Sequence, residues 1–179
     1  MEVSTELLKR RLSPYGPFHG DAWNALCSNL HSAVASKGNR LELKPGGIYF
    51  VAQGLIKECV CWPGAGDFTI LRLLPESSIF FTPSAILGRC YYALEDCELL
   101  GLDRRAILQL RSGGPLWAAC YEQLWCEWLQ FLPDRIELVR MPYNERKKQF
   151  LTRFPGLKAR VNNKDLADYL AISNDFSVS

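Results

Sequence analysis

Residues 115–153 constrain this chain more than any other stretch, because their apolar side chains fall into two helical seams rather than one. The first seam runs through Trp117, Tyr121, Leu124, Trp128 and Phe131, the second through Trp125, Leu129, Leu132, Ile136 and Val139. A helix with one neighbour buries one face. Two seams with alternating steps of three and four suit a spine that packs its own preceding domain on one side and the same helix of a second copy on the other. The plainer reading is the central helix of a single core. We assign the first seam to the dimer interface. Pro133 should kink or stop the helix near Phe131-Leu132, because proline removes a backbone bond and crowds the preceding turn. Met141-Pro142 marks a second break, after which Asn144 can cap a short basic helix that ends near Phe154-Pro155-Gly156.

Before the spine the hydrophobic period changes twice. Residues 21–35 place Trp23, Leu26, Cys27, Leu30 and Val34 on one stripe, which predicts an amphipathic helix with Asp21 as N-cap and His31 at its surface or rim; Gly38 suits the left-handed turn that ends it. Residues 40–44, 48–61, 68–74, 78–82, 90–94 and 98–103 then read as short strands, rich in β-branched and aromatic residues and separated by glycine and proline turns. That spacing predicts a sandwich or barrel, not a parallel sheet. Residues 104–111 return to helical spacing, and Gly113-Gly114-Pro115 separates them from the spine.

The inventory of reactive groups is thin. Seven cysteines (Cys27, Cys59, Cys61, Cys90, Cys97, Cys120, Cys126) lie in apolar surroundings with no CxxC pair and only His19 and His31 as imidazoles, so reduced core thiols are expected and no metal or cofactor. There is no glycine-rich phosphate loop at a strand-helix junction, no Gly-x-Ser-x-Gly elbow and no histidine acid-base pair, which argues against an enzyme. The first residues lack the apolar core of a secretory signal and no apolar run is long enough to span a bilayer, so a cytoplasmic protein without a membrane partner is expected. Charge is the exception. Arg140, Arg146, Lys147, Lys148, Arg153, Lys158, Arg160 and Lys164 face only Glu145 in their stretch, a pattern suited to a polyanion.

After Pro155-Gly156, Asn162 or Asn163 can cap a helix carrying Leu166, Ala167 and Leu170; Ala171-Ile172-Ser173 makes a turn, and Asn174 caps a second helix that has barely begun at Ser179. This is the pattern of a helix-turn-helix, with Leu166, Leu170, Ile172 and Val178 as its small core.

In their order and spacing, LELKPGGIYFVAQGLIKE, PGAGDF, ALEDCELLGLDRRAILQL, NERKKQFLTRFPGLKARV and KDLADYLAIS resemble successive parts of the cyclic-AMP-receptor-protein/FNR (Crp/Fnr) superfamily of bacterial transcription regulators. The resemblance implies an α+β fold. Residues 1–111 would form an N-terminal helix and a cyclic-nucleotide-binding-like antiparallel β-barrel (jelly roll), 112–141 a dimerisation helix, and 142–179 a partial winged helix-turn-helix. It also implies a homodimer whose DNA contacts come from Arg146, Lys147, Lys158, Arg160, Asn163 and Lys164, and from Ser173, Asn174, Asp175, Ser177 and Ser179.

Three departures qualify it. The stretch LPESSIFFTPSAILGRCYYAL lacks the Gly-Glu pair of the cyclic-nucleotide binders and places Leu87 where their arginine should be, with Arg89 two residues on; Ser77 and Ser78 complete the candidate pocket. Cyclic AMP and cyclic GMP are therefore not expected, and an effector, if there is one, is an unidentified small molecule. The FNR-type cluster needs cysteines before the barrel, where only Cys27 is found. The recognition helix is incomplete as well, so a sensing or dimer-partner module without DNA binding stands as the alternative.

Overall fold

The computed structural model describes residues 2–61, 68–83 and 88–171, with Cys61 as backbone alone. The chain opens with α1 (Glu2–Leu12), a 3-10 turn at Ser13–Tyr15 and α2 (Gly20–Cys27). Seven strands follow: β1 (His31–Ala35), β2 (Ile48–Gln53), β3 (Ile56–Cys61), β4 (Phe68–Leu74), β5 (Ile79–Phe81), β6 (Arg89–Ala93) and β7 (Cys97–Leu102). The helices α3 (Arg104–Ser112), α4 (Pro115–Leu129), α5 (Phe131–Arg140), α6 (Tyr143–Arg153) and α7 (Asn163–Tyr169) complete the described chain, with a 3-10 turn at Leu157–Ala159 before the last. No helix among the described residues is long and apolar enough to cross a membrane.

The strands form two antiparallel sheets, β1-β7-β2-β5 and β4-β3-β6, which share an interior but are not closed into one continuous barrel. Alternation along the smaller sheet sets everything that follows. Ile56, Leu74, Tyr91 and Ala93 point into the interior with Tyr49, Phe50, Phe80 and Leu99 of the larger sheet. Cys59, Ile70, Leu73 and Cys90 point the other way, into a second core completed by Leu138, Phe150, Leu157, Leu166, Tyr169 and Leu170. The C-terminal helices thus share a core with the outer face of this sheet.

The predicted helix over 21–35 stops at Cys27, and His31–Ala35 is a strand. All five of its residues pair with β7, from His31 opposite Gly101 to Ala35 opposite Cys97, and that ladder outweighs a stripe short polar residues had already weakened. His31 packs edge-on against Tyr49 at 5.8 Å over the bare backbone of Gly101, where a Cβ would lie 2.6 Å from the imidazole. Val34, placed on the apolar stripe in the helical reading, is 79% exposed. The N-cap of α2 is His19, not Asp21, which sits in the first turn where its charge suits the helix dipole. Gly38 does adopt a positive φ of 86°, but in the turn after β1, with its N–H donating to Ala93 O at 2.7 Å. Of the predicted strand at 40–44 only a bridge between Arg40 and Tyr92 forms.

The spine breaks close to where its prolines predict. Gln130 ends α4 and begins α5, which puts Pro133 in the first turn of α5, where a missing N–H costs no intrahelical bond. Met141 is extended (ψ 151°) before Pro142, and Pro142 rather than Asn144 stands at the cap of α6. Asn162 caps α7 with its Oδ1 accepting from Asp165 N at 2.8 Å, while its Nδ2 donates to the Asp165 carboxylate at 2.7 Å.

Gly54 makes the turn between β2 and β3 at φ +90°, and a Cβ there would lie 2.5 Å from Asp96 O. Gly54→Ala should therefore cost about 1–3 kcal/mol, the range for a non-glycine residue held in the left-handed region, with the close approach adding to it. Urea unfolding measures this directly; a change below about 0.5 kcal/mol, typical of a neutral surface substitution, would show that the turn relaxes freely.

Candidate functional site

Strand alternation places a charged cluster inside an otherwise apolar interior. Glu58 on β3, Arg72 on β4 and Arg89 and Tyr91 on β6 all face inward, and Glu58 is fully buried. Arg72 Nε donates to Glu58 Oε2 at 2.5 Å, Arg89 Nη1 donates to Oε1, and Tyr91 Oη donates to Oε1 at 3.3 Å. Arg72 Nη2 lies against the same carboxylate oxygen without hydrogen-bond geometry. Burial lowers the Arg72 pKa from arginine's ordinary value although Glu58 opposes the shift, and burial with the adjoining Glu58 charge pushes Tyr91 upward. The cluster is roofed by the bend of the spine: Arg72 stacks 4.9 Å from Trp128 and 4.0 Å from Phe131, and Arg89 lies 5.9 Å from Trp128.

The first seam faces this interior within the single chain. Leu124 and Trp128 are buried in the chain's own core, and Trp117, Tyr121 and Phe131 pack against it. Phe81 on β5 receives Tyr121 and Trp128 with ring centroids 5.6 Å away, and Phe18 meets Trp117 at 4.6 Å. The residues expected at a dimer interface therefore join the spine to its own sheet. The seam left open is the other one: Trp125, Leu129, Leu132 and Ile136 are 37, 38, 47 and 50% exposed.

Of the expected pocket residues, Arg89 joins the internal cluster, Ser78 is half-buried at the outer end of β5, and Ser77 is exposed in a turn with φ 67°. Leu87 lies outside the described residues. The expected DNA contacts divide. Lys147, Lys158, Asn163 and Lys164 are exposed. Arg146 is spent within the fold, with Nη1 donating to Leu170 O at 3.0 Å and Ala171 O at 2.9 Å at the end of α7. Arg160 is bound to the strand region, donating to Glu76 at 2.6 Å and to Glu95 at 2.5 Å. Ser173, Asn174, Asp175, Ser177 and Ser179 lie outside the described residues.

Further contacts seat α7 on the sheet. Lys57 Nζ donates to Asp165 Oδ1 at 2.7 Å in a largely buried pair, and Asp168 Oδ2 accepts from Ile70 N at 2.8 Å. Sequence reading missed Glu58 and Lys57. Each is a charged residue in the apolar run LIKECV, and that was the signal available. Cys59, Cys90, Cys97 and Cys120 are buried, and burial pushes the Cys120 thiol up to about 12.

No protein-family model and no curated protein sequence matches this chain. Solved structures do. A protein assigned to the Crp/Fnr family of transcriptional regulators from Eubacterium rectale aligns with a TM-score of 0.67 at 15% identity, covering 89% of this chain and 82% of that one. FixK2 from Bradyrhizobium japonicum aligns with a TM-score of 0.64 at 15% identity over 80% of this chain and 78% of its own. A variant of CooA from Carboxydothermus hydrogenoformans gives 0.55 at 18% identity, over 75% and 90%. The chain shares the fold of these three structures.

Glu58→Ala should destabilise the chain by about 3–5 kcal/mol, because it leaves two guanidinium groups buried without their carboxylate. Urea unfolding showing a loss below about 1 kcal/mol would mean that water reaches the cluster. A second expectation concerns acid. The Arg160 hydrogen bond holds Glu76 below its ordinary value of 4.5. The stability this gives is complete above that value and lost as pH falls through the lower folded value. The stability gap between the natural chain and Glu76→Gln should therefore narrow below pH 4.5, and a gap that widens on acidification would contradict it.

Proposed function

We propose that this chain is a homodimeric bacterial transcription regulator that binds DNA through its C-terminal segment. The observation that carries the reading is a fold shared over 89% of the chain with a solved protein assigned to the Crp/Fnr regulators.

Two local features support it. Trp125, Leu129, Leu132 and Ile136 follow steps of four, three and four along the exposed side of α4 and α5, the seam spacing of paired helices. Pairing this seam with its symmetry mate buries side chains that otherwise face water. The second feature is the exposed polar set Lys158, Asn163 and Lys164 around the Asn162-capped start of α7, with Lys147 exposed on α6, side chains suited to phosphate contacts. The sensor interior does not suit a cyclic nucleotide, because Glu58 already occupies both inward arginines.

A second reading, a sensing module without DNA binding, draws on the docking of α7 through Arg160, Lys57 and Asp165. DNA titration separates the two. The regulator reading expects duplex binding that weakens with salt, and a Lys158→Gln/Lys164→Gln double variant should reduce the log-log salt slope by about 2, since each lysine neutralises one phosphate. No binding to any duplex at low salt would favour the sensing module. For the dimer, Leu132→Asp should shift sedimentation to the monomer while leaving the fold intact; an unchanged dimer would move the interface elsewhere.

A further inference from the structure

A cleft of about 200 Å³ lies where strand β4 meets the C-terminal helices. Its walls come from four elements and the turn after β4: Arg72, Pro75 and Ser78 from the sensor half, Phe131, Asp134 and Arg135 from α5, Arg153 and Phe154 at the end of α6, and Tyr169 on α7. Three arginines and one acidic residue thus line it, Arg72 with its head group bonded to Glu58.

Each guanidinium is held by its face. Arg72 stacks on Phe131 at 4.0 Å, Arg135 on Tyr169 at 4.8 Å and Arg153 on Phe154 at 5.6 Å. Stacking leaves the N–H edges, which are what recognise anions. Those edges are only partly used. Arg153 donates through Nη2 to Asp134, Arg72 through Nε to Glu58, and Arg135 to the carbonyls of Tyr169 and Ile70. Arg135 has no carboxylate among its hydrogen-bond partners, and Glu58 divides its charge between Arg72 and Arg89. Burial depresses the pKa of Arg72 and of Arg135 below the ordinary arginine value, so the cleft holds cations whose lost hydration the protein does not fully return.

We propose that this cleft binds a small organic anion, a metabolite bearing a carboxylate or phosphate group, between Arg72, Arg135 and Arg153. The volume is below the ~300–1,000 Å³ of pockets that hold drug-sized ligands, which suits a metabolite rather than a nucleotide. Ser78 adds a neutral hydroxyl, and the three aromatic rings form apolar walls. Such a ligand touches the sheet, α5, α6 and α7 at once, so it stabilises the docked arrangement of the C-terminal helices over any other. The inference rests on reading the chain as a sensor and is independent of whether it binds DNA.

The test uses the whole chain without DNA. It is titrated with inorganic phosphate and, separately, with malonate, at an ionic strength held constant with sodium chloride, and followed by calorimetry and by the thermal midpoint. Saturable binding of either anion is expected, and the stronger of the two identifies the acid group preferred. Arg153→Gln should weaken it about tenfold or more, the usual consequence of removing a charge-assisted hydrogen bond. Arg104→Gln, an exposed arginine on α3, should leave it unchanged. Ser78→Leu fills the cleft without altering an arginine and should abolish binding even if Arg153→Gln folds poorly. A midpoint that drifts without saturation, no binding of either anion at millimolar concentration, or saturable binding that survives both cleft variants would overturn the proposal.

Discussion

A carboxylate stripped of all its water is the constraint to which the rest of the structure answers. Glu58 has no exposed surface, and the cost of ionising a buried carboxylate is offset only by closely held partners. It draws Arg72 and Arg89 inward from the two neighbouring strands, and each of these needs a surface for its own apolar face. Trp128 and Phe131 supply it, at the point where the spine bends. The bend at Gln130 is therefore held from both sides, by chain chemistry at Pro133 and by the charged cluster beneath it. The interior between the two sheets is in this way occupied by the chain's own side chains.

The same alternation that turns Glu58 inward turns Lys57 outward, and this ties the smaller sheet to the C-terminal helices. Lys57 meets Asp165, and Cys59 on the same face enters the second core with Ile70, Leu166 and Leu170. A single strand thus carries both the internal cluster and the docking surface, on opposite faces. A change that shifts β3 or β4 acts on α7 directly, without passing along the spine.

Much of the fold was legible because its signals are local. Strand turns at Gly54, breaks at Pro133 and Pro142, and the Asn162 cap are each decided within a few residues. What escaped was decided across the chain. The segment His31–Ala35 has no clear period of its own and becomes a strand through its ladder with β7, more than sixty residues away in sequence. Glu58 meets its arginines 14 and 31 residues away, and nothing in LIKECV points to them. The two seams of the spine are equal by periodicity. Residues outside the spine decide which one is buried: Phe18 packs on Trp117 of the first seam, while Phe81 touches both, at Trp128 and at Trp125. Likewise Arg146 and Arg160 read as part of a basic run, yet backbone carbonyls and two glutamates claim them, because an arginine beside orphan carbonyls or paired carboxylates is worth more there than in water.

The docking of α7 also limits how the C-terminal helices can move. Peeling α7 alone from the sheet would expose Leu55, Cys59 and Ile70, which have no solvent contact as they stand, and would leave Lys57 without Asp165. At about 25 cal/mol per Å² of apolar surface, that loss is not repaid by hydrating exposed pairs such as Arg160 with Glu76. Phe150 and Leu138 belong to the same core, so α5, α6 and α7 are bound to one another as firmly as to the sheet. Moving the three helices together about the break at Gln130 would strip the same sheet residues, so the shared core holds α5, α6 and α7 against the strands as one layer.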